Sequence, residues 1–266
     1  MIEVVARLAA DGLEFFTPND LAEKFGISRA RAQRLAGRMT EAGLARRVRR
    51  PLYALLPPAE WGGGTGTAVD WYWVAANAVG REPYYLAYYT AMEIHQMTQH
   101  PLRTVFVAVA RRHRSTNFGP VRIKFVTLPE PKFFGQEDRR LQSGHVVKIA
   151  QLERTLIDGA DRPELCGGIE EVLRGYIRRH ADMDPDRLIR FLDRLGKPVV
   201  TKRVGFLLEA AGHGDPELFW ELERVAGRLR HYAKLDKARP AEGTRNRRWE
   251  LLINIDVKRL LAAART

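Results

Sequence analysis

Thr17-Pro18-Asn19-Asp20-Leu21-Ala22-Glu23-Lys24-Phe25-Gly26-Ile27-Ser28-Arg29-Ala30-Arg31-Ala32-Gln33-Arg34-Leu35-Ala36-Gly37-Arg38-Met39-Thr40-Glu41-Ala42-Gly43 decides the fold of the front of this chain. Thr17 suits an N-cap, and Pro18 suits a first helical turn, where a missing N–H leaves no bond unmade. Gly26 permits a sharp turn, and Ile27 is the apolar residue that a helix-turn-helix tucks between its helices. Ser28 caps the next helix. Ala32, Leu35, Ala36, Met39 and Ala42 recur near a 3.6-residue period and define its packing side. Gly43 stops it as a C′ residue.

Outward from this stretch, a first helix is expected over roughly Glu3 to Ala10, and two short strands over Leu44 to Leu56, with Pro51 at the hairpin tip. The expected core is Val5, Leu8, Phe16, Leu21, Phe25, Ile27, Leu35, Met39, Leu44, Tyr53 and Leu55. These elements make a winged helix-turn-helix. Between Ser28 and Arg50 there are eight arginines and one acid, Glu41. Such a surface neutralises phosphates and releases counterions from a duplex. The first turns of a recognition helix reach base edges, and Arg binds guanine edges through two donors. Arg29, Gln33 and Arg34 are therefore expected to read bases. Ser28, Arg31 and Arg38 belong to the same DNA-binding set, Arg31 and Arg38 on the phosphates. The wing is expected to carry Arg46, Arg47, Arg49 and Arg50 to the backbone or minor groove.

The 266 residues suffice for one small and one medium domain, and 45% hydrophobic content implies a folded core. A formal charge of +12 favours an acidic partner. Cys166 is the single cysteine, which excludes an intrachain disulfide scaffold or zinc ribbon. No run approaches the ~20 apolar residues of a membrane span. With no secretion signal at the start, a cytoplasmic protein without membrane association is expected.

The expected class is α+β: a winged helix at 1–57, a Gly/Pro-rich connection at 58–69, and a larger mixed α/β domain at 70–266. In that domain Thr104 to Val109, Val121 to Val126 and Val146 to Ile149 read as strands. Helices are expected at Asp70 to Val79 and at Tyr88 to Met97, the latter approached through Pro83-Tyr84-Tyr85-Leu86. Further helices are expected at Leu152 to Gly159, Gly168 to His180, Pro185 to Leu195, Val199 to Ala211, Pro216 to Leu229 and Lys258 to Ala264. A late strand is expected around Trp249 to Ile255.

Three stretches carry a resemblance: Tyr84-Tyr85-Leu86-Ala87-Tyr88-Tyr89-Thr90-Ala91-Met92-Glu93-Ile94-His95-Gln96-Met97-Thr98, Val147-Lys148-Ile149-Ala150-Gln151-Leu152-Glu153-Arg154-Thr155-Leu156-Ile157-Asp158-Gly159, and Lys202-Arg203-Val204-Gly205-Phe206-Leu207-Leu208-Glu209. In order and spacing the chain resembles the AbiEi family, the antitoxins and transcriptional regulators of abortive-infection (type IV) toxin–antitoxin systems. Val204-Gly205-Phe206 departs mildly from the usual leucine and tyrosine. The resemblance implies a repressor that binds double-stranded operator DNA, in repeats upstream of its own operon. It also implies an antitoxin that opposes a nucleotidyltransferase toxin without requiring a stable complex. From the residues themselves, Arg154 and Asp158 stand at i and i+4, which suits a structural ion pair.

No enzyme is expected. There is no phosphate-binding loop, no Gly-x-Ser-x-Gly elbow and no paired histidines at helical spacing. No cofactor and no metal are implied. Two other readings stay open. A metal-dependent nuclease needs clustered carboxylates, and Glu130, Glu137 and Asp138 lie near candidate strands. A small-molecule-responsive regulator needs a pocket, for which Trp71, Tyr72, Trp73, Tyr84, Tyr85, Tyr88 and Tyr89 are candidates. Lys234, Lys237, Arg239, Arg245, Arg247 and Arg248 form a second basic cluster, either a further phosphate surface or a solvated loop.

Overall fold

The computed structural model describes residues 1–61, 69–100 and 103–264. In chain order the elements are α1 (Ile2–Ala10), β1 (Phe15–Phe16), α2 (Pro18–Phe25), α3 (Arg29–Glu41), β2 (Ala45–Arg47), β3 (Tyr53–Leu55), α4 (Trp71–Val79), β4 (Tyr84–Leu86), α5 (Tyr89–Ile94), β5 (Thr104–Val109), β6 (Thr116–Phe118) and β7 (Val121–Thr127). There follow β8 (Gln136–Arg140), β9 (Val146–Ala150), α6 (Leu152–Asp161), α7 (Ile169–Arg179), α8 (Pro185–Leu195), α9 (Pro198–Ala211), α10 (Pro216–Ala226), β10 (Ala233–Lys234), β11 (Thr244–Asn246), β12 (Leu251–Ile253) and α11 (Val257–Ala264). The class is α+β. Among the described residues no helix is long and apolar enough to cross a membrane.

The chain forms two compact units. The first comprises Met1–Tyr84, Arg103–Thr127 and Arg139–Val147; the second comprises Tyr85–Leu102, Leu128–Asp138 and Lys148–Thr266. Of the expected connection at 58–69, residues 62–68 lie outside the described residues. Pro58–Glu60 make a 3₁₀ turn, and the Trp61 indole N–H donates to the Leu56 carbonyl at 2.8 Å.

In the first unit, α1, α2 and α3 pack around Val5, Leu8, Phe16, Leu21, Ala32, Ala36, Met39 and Leu44. Leu8, Phe16, Leu21 and Met39 are fully buried. Each such side chain contributes about 1.5–3 kcal/mol of hydrophobic stabilisation. β1, β3 and β2 form an antiparallel sheet, with Phe16 opposite Tyr53 and Arg46 opposite Ala54. Phe16 stacks on Tyr53 at 5.5 Å between centroids. A second set of strands has β7 between β6, antiparallel, and β5, parallel, with Thr104 beside Arg122 and Val109 beside Thr127. α4 packs on β5.

In the second unit, α9 lies among α6, α7 and α10. Val200 to Leu208 are buried without interruption, Lys202 and Arg203 included. Those two cations are matched: Lys202 Nζ lies 2.5 Å from a Glu250 carboxylate oxygen, and Arg203 donates to the Lys234 carbonyl at 2.6 and 3.1 Å. Proline at the first turn starts α8, α9 and α10, and Asp184 and Asp215 accept backbone N–H groups there as N-caps. β4 pairs with β9 in parallel through Leu86 and Ile149. Thus Tyr84–Leu86, expected as the approach to a helix, is a strand, and the helix after it stops at Ile94 rather than Met97.

Candidate nucleic-acid interface

The recognition helix is built as its residue types dictate. Thr17 and Asp20 form a reciprocal capping box at the start of α2, with Thr17 N–H donating to Asp20 Oδ2 at 2.6 Å. Gly26 takes the left-handed conformation, φ 61°, that turns the chain toward α3. Ser28 Oγ accepts the Arg31 N–H at 3.4 Å, which leaves the hydroxyl hydrogen able to donate to a phosphate. At the far end Gly43 has φ 66°, and Leu44 N–H donates to the Met39 carbonyl at 2.9 Å. That is a Schellman stop.

Ala32, Ala36 and Met39 are buried beneath α3, while Ser28, Arg29, Arg31, Gln33, Arg34 and Arg38 are exposed. None of these arginines makes an ion pair among the described residues. Arg29 and Gln33 line a small cleft of about 90 Å³ together with Thr17, Pro18, Asn19 and the wing-tip residue Pro51. Two of the three base-reading candidates, Arg29 and Gln33, therefore share one concavity with the N-terminus of α2 and the wing, and Arg34 lies outside its lining.

The wing departs from expectation. Arg47 and Arg50 are exposed, but Arg46 and Arg49 are half-buried and engaged by the protein. Arg49 Nε donates to the Ala78 carbonyl at 2.6 Å. Ala78 lies in the last turn of α4, where carbonyls lack helical partners and a cation is favoured by the helix dipole. The Arg46 guanidinium lies 5.4 Å over the Phe118 ring and against Gly119, and its buried Nη1 has no hydrogen-bond partner. Their partners lie far along the chain, on α4 and β6, and exert no local signature in the wing sequence.

The same unit holds a cavity of about 580 Å³, lined by the outer side of α1, by β3 and by Trp61, Trp73 and His145. At its polar edge the Trp73 indole N–H donates to Glu14 at 2.5 Å, and His145 stacks on Trp73 at 4.5 Å while lying 3.1 Å from Glu14. Ser143 donates to Asp70, the N-cap of α4. Of the seven aromatics proposed from the sequence as pocket walls, Trp73 alone is found in this lining. Trp71 packs edge-on against Phe118, and Tyr85 and Tyr88 are buried in the second unit.

The remaining polar candidates resolve into supports. Arg154 Nε donates to Asp158 at 2.9 Å, and its Nη1 donates to the Lys132 and Phe134 carbonyls at 2.9 and 3.1 Å. Burial pushes the Asp158 carboxyl above its ordinary value, although Arg154 opposes this. Glu153 accepts the Asp184 N–H at 2.7 Å and so ties α6 to the start of α8. Asp138 pairs with Lys148 at 2.8 Å, and Glu130 opens an exposed 3₁₀ turn. Burial raises the Cys166 thiol well above its ordinary value, which makes it a packing residue. In the second basic cluster Lys234 donates to the Lys237 and Arg239 carbonyls, Arg239 pairs with Glu170, and Arg248 pairs with Glu209 and Glu223. These three charges serve the fold of that segment.

Residues 4–52 match the model of the MarR family. The front module is thus a MarR-type winged helix-turn-helix, the DNA-binding module of transcriptional regulators. None of the curated proteins matches the chain. Among solved structures, the chain is similar to the RV2827C protein from Mycobacterium tuberculosis at 17% identity and a TM-score of 0.72, over 99% of this chain and 94% of that one. At that identity the likeness concerns the fold.

Proposed function

We propose that this chain, which carries a MarR-type winged helix-turn-helix at its front, is a transcriptional autorepressor and the antitoxin of a toxin–antitoxin pair, acting by binding rather than by catalysis. The observation that carries the DNA-binding part is the outer side of α3: Arg29, Arg31, Arg34 and Arg38 are exposed without acidic partners around Gln33. A duplex supplies the missing counter-charge through its phosphates and base edges. Arg29, Gln33 and Arg34 take the base-reading role. Ser28, Arg31, Arg38, Arg47 and Arg50 take the phosphates, and Arg46 and Arg49 hold the wing.

The antitoxin part rests on the AbiEi-like stretches and on the positions they occupy. The Glu-Arg-Thr-Leu segment opens α6 directly after β9, and the third stretch forms the buried length of α9. The functional partner is a nucleotidyltransferase toxin. The test has two arms. The purified chain should retard the DNA upstream of its own gene more strongly than a scrambled duplex, and its co-expression should relieve the toxicity of a co-transcribed nucleotidyltransferase. Equal retardation of both duplexes removes the autorepressor role; persistent toxicity removes the antitoxin role.

One observation favours a second reading, a regulator responsive to a small molecule: the cavity beside Trp61 and Trp73 on the DNA-binding unit. An effector bound there raises the melting temperature with concentration. A metabolite screen with no such rise disposes of it.

A further inference from the structure

We infer that the loop Arg111-Arg112-His113-Arg114 is a second DNA-contact element, which grips the phosphodiester backbone of the same duplex beyond the wing. The inference rests on the DNA-binding reading above and extends it to a surface that the helix-turn-helix does not include. Three segments of the first unit are tied together at one place. Thr116 Oγ1 at the start of β6 donates to the Val48 carbonyl in the wing turn at 3.0 Å. Arg46 sits over Phe118, and Arg49 reaches the Ala78 carbonyl and lies against Gly80. His113 closes the third side at 3.2 Å from Glu82.

Around this knot Arg47, Arg50, Arg81, Arg111, Arg112 and Arg114 are all exposed, and none makes an ion pair among the described residues. The sole acid in residues 46–50, 78–82 and 110–119 is Glu82, which His113 occupies. Six guanidiniums with one engaged carboxylate repel one another unless a polyanion lies across them. A duplex, with one charge per ~1.7 Å, is such a polyanion. Arg47 and Arg50 belong both to this patch and to the wing, so the patch adjoins the wing. The loop presents neither a helix nor a β-ribbon to a groove, so its contacts are to phosphate and carry no sequence preference.

The test uses the full chain and random-sequence duplexes of about two and about four helical turns (~20 and ~40 bp), titrated between 50 and 200 mM salt. Arg111→Gln/Arg112→Gln/Arg114→Gln should lower the slope of log K against log salt by about 2–3 on the longer duplex. The ratio of wild-type to variant affinity should then change about fortyfold across that salt range. Arg34→Gln serves as the control for the recognition helix on the DNA upstream of the gene. If Arg34→Gln weakens binding there while the triple variant keeps the wild-type slope, the loop proposal is overturned and the DNA-binding reading survives. If the wild-type chain binds neither duplex at 50 mM salt, the reading itself fails and the loop with it. A second measurement keeps all six arginines. Asn117 is exposed on β6 and Cys166 is buried, so Asn117→Cys accepts a tethered iron chelate selectively. Strand scission next to the wing's footprint is expected, and uncut DNA in a retarded complex overturns the assignment.

Discussion

Replacing Arg49 and replacing Arg50 should have opposite consequences, although the two residues are adjacent and chemically identical. Arg49 donates a 2.6 Å charge-assisted bond to the Ala78 carbonyl, and Ala78 is fully buried in the last turn of α4. In Arg49→Ala that carbonyl loses its donor and the helix end loses its cation. Loss of a hydrogen bond to a charged group costs about 1.5–3 kcal/mol. For a chain of this size this is a fall of about 3–12 °C in melting temperature. Binding to DNA should keep its salt slope, because a guanidinium committed to Ala78 releases no counterion. Arg50→Ala should do the reverse, with an unchanged melt and a salt slope shallower by about 0.9. The assay is a thermal melt of each variant followed by fluorescence-anisotropy titration on one duplex at several salt concentrations. An Arg49→Ala protein that melts with the wild type and loses one unit of slope refutes the anchoring role and returns Arg49 to the phosphates.

Arg34→Ala should lower affinity for the upstream DNA by about 1–3 kcal/mol and leave binding to scrambled duplex much less affected; equal losses on both remove the base-reading role. Gly205→Ala should destabilise the second unit by about 1–3 kcal/mol, because the new methyl would overlap the Trp249 ring, which is fully buried and held by its N–H bond to Glu209 at 2.8 Å. That loss outweighs the gain of ~1 kcal/mol from replacing a helical glycine, and a melt at or above the wild type contradicts the packing. Glu250 is held below its usual value of 4.5, chiefly by the Lys202 ammonium and the Leu229 N–H. A depressed carboxylate stabilises the fold above its unfolded value and loses that contribution as pH falls through the folded one. Glu250→Gln should therefore lower stability at neutral pH and converge with the wild type as the pH falls below 4.5 and through the folded value. Parallel pH profiles would dissociate Glu250 from acid stability.

The front module was legible because its determinants are local. Thr17, Gly26, Ser28 and Gly43 act within a turn of where they stand, and the core face of α3 follows from period alone. The helices of the second unit announced themselves through Pro185 and Pro216 and through their apolar stripes, and the structure adds Pro198 as the first residue of α9. The short strands did not. Tyr84–Leu86 acquires its strand character from pairing with Ile149, and Gln136–Arg140 carries no apolar alternation. β6 is three residues long and gains its significance from the wing that it touches. The division of the wing arginines was hidden for the same reason. A distant carbonyl and a distant ring decide that Arg46 and Arg49 turn inward while Arg47 and Arg50 stay out.

The inward pair of wing arginines bears on how such proteins can be recombined. A chimera that exchanged only residues 1–57 for another reader head would strand the end of α4 and uncover Phe118. It would also take Glu14 from Trp73 and His145. The transplantable piece is discontinuous in the gene, because it includes stretches near 70–84, 113–119 and 143–145. A single crossover cannot deliver it intact. New operator preferences are therefore reached more readily by point changes on the exposed side of α3 than by shuffling whole modules.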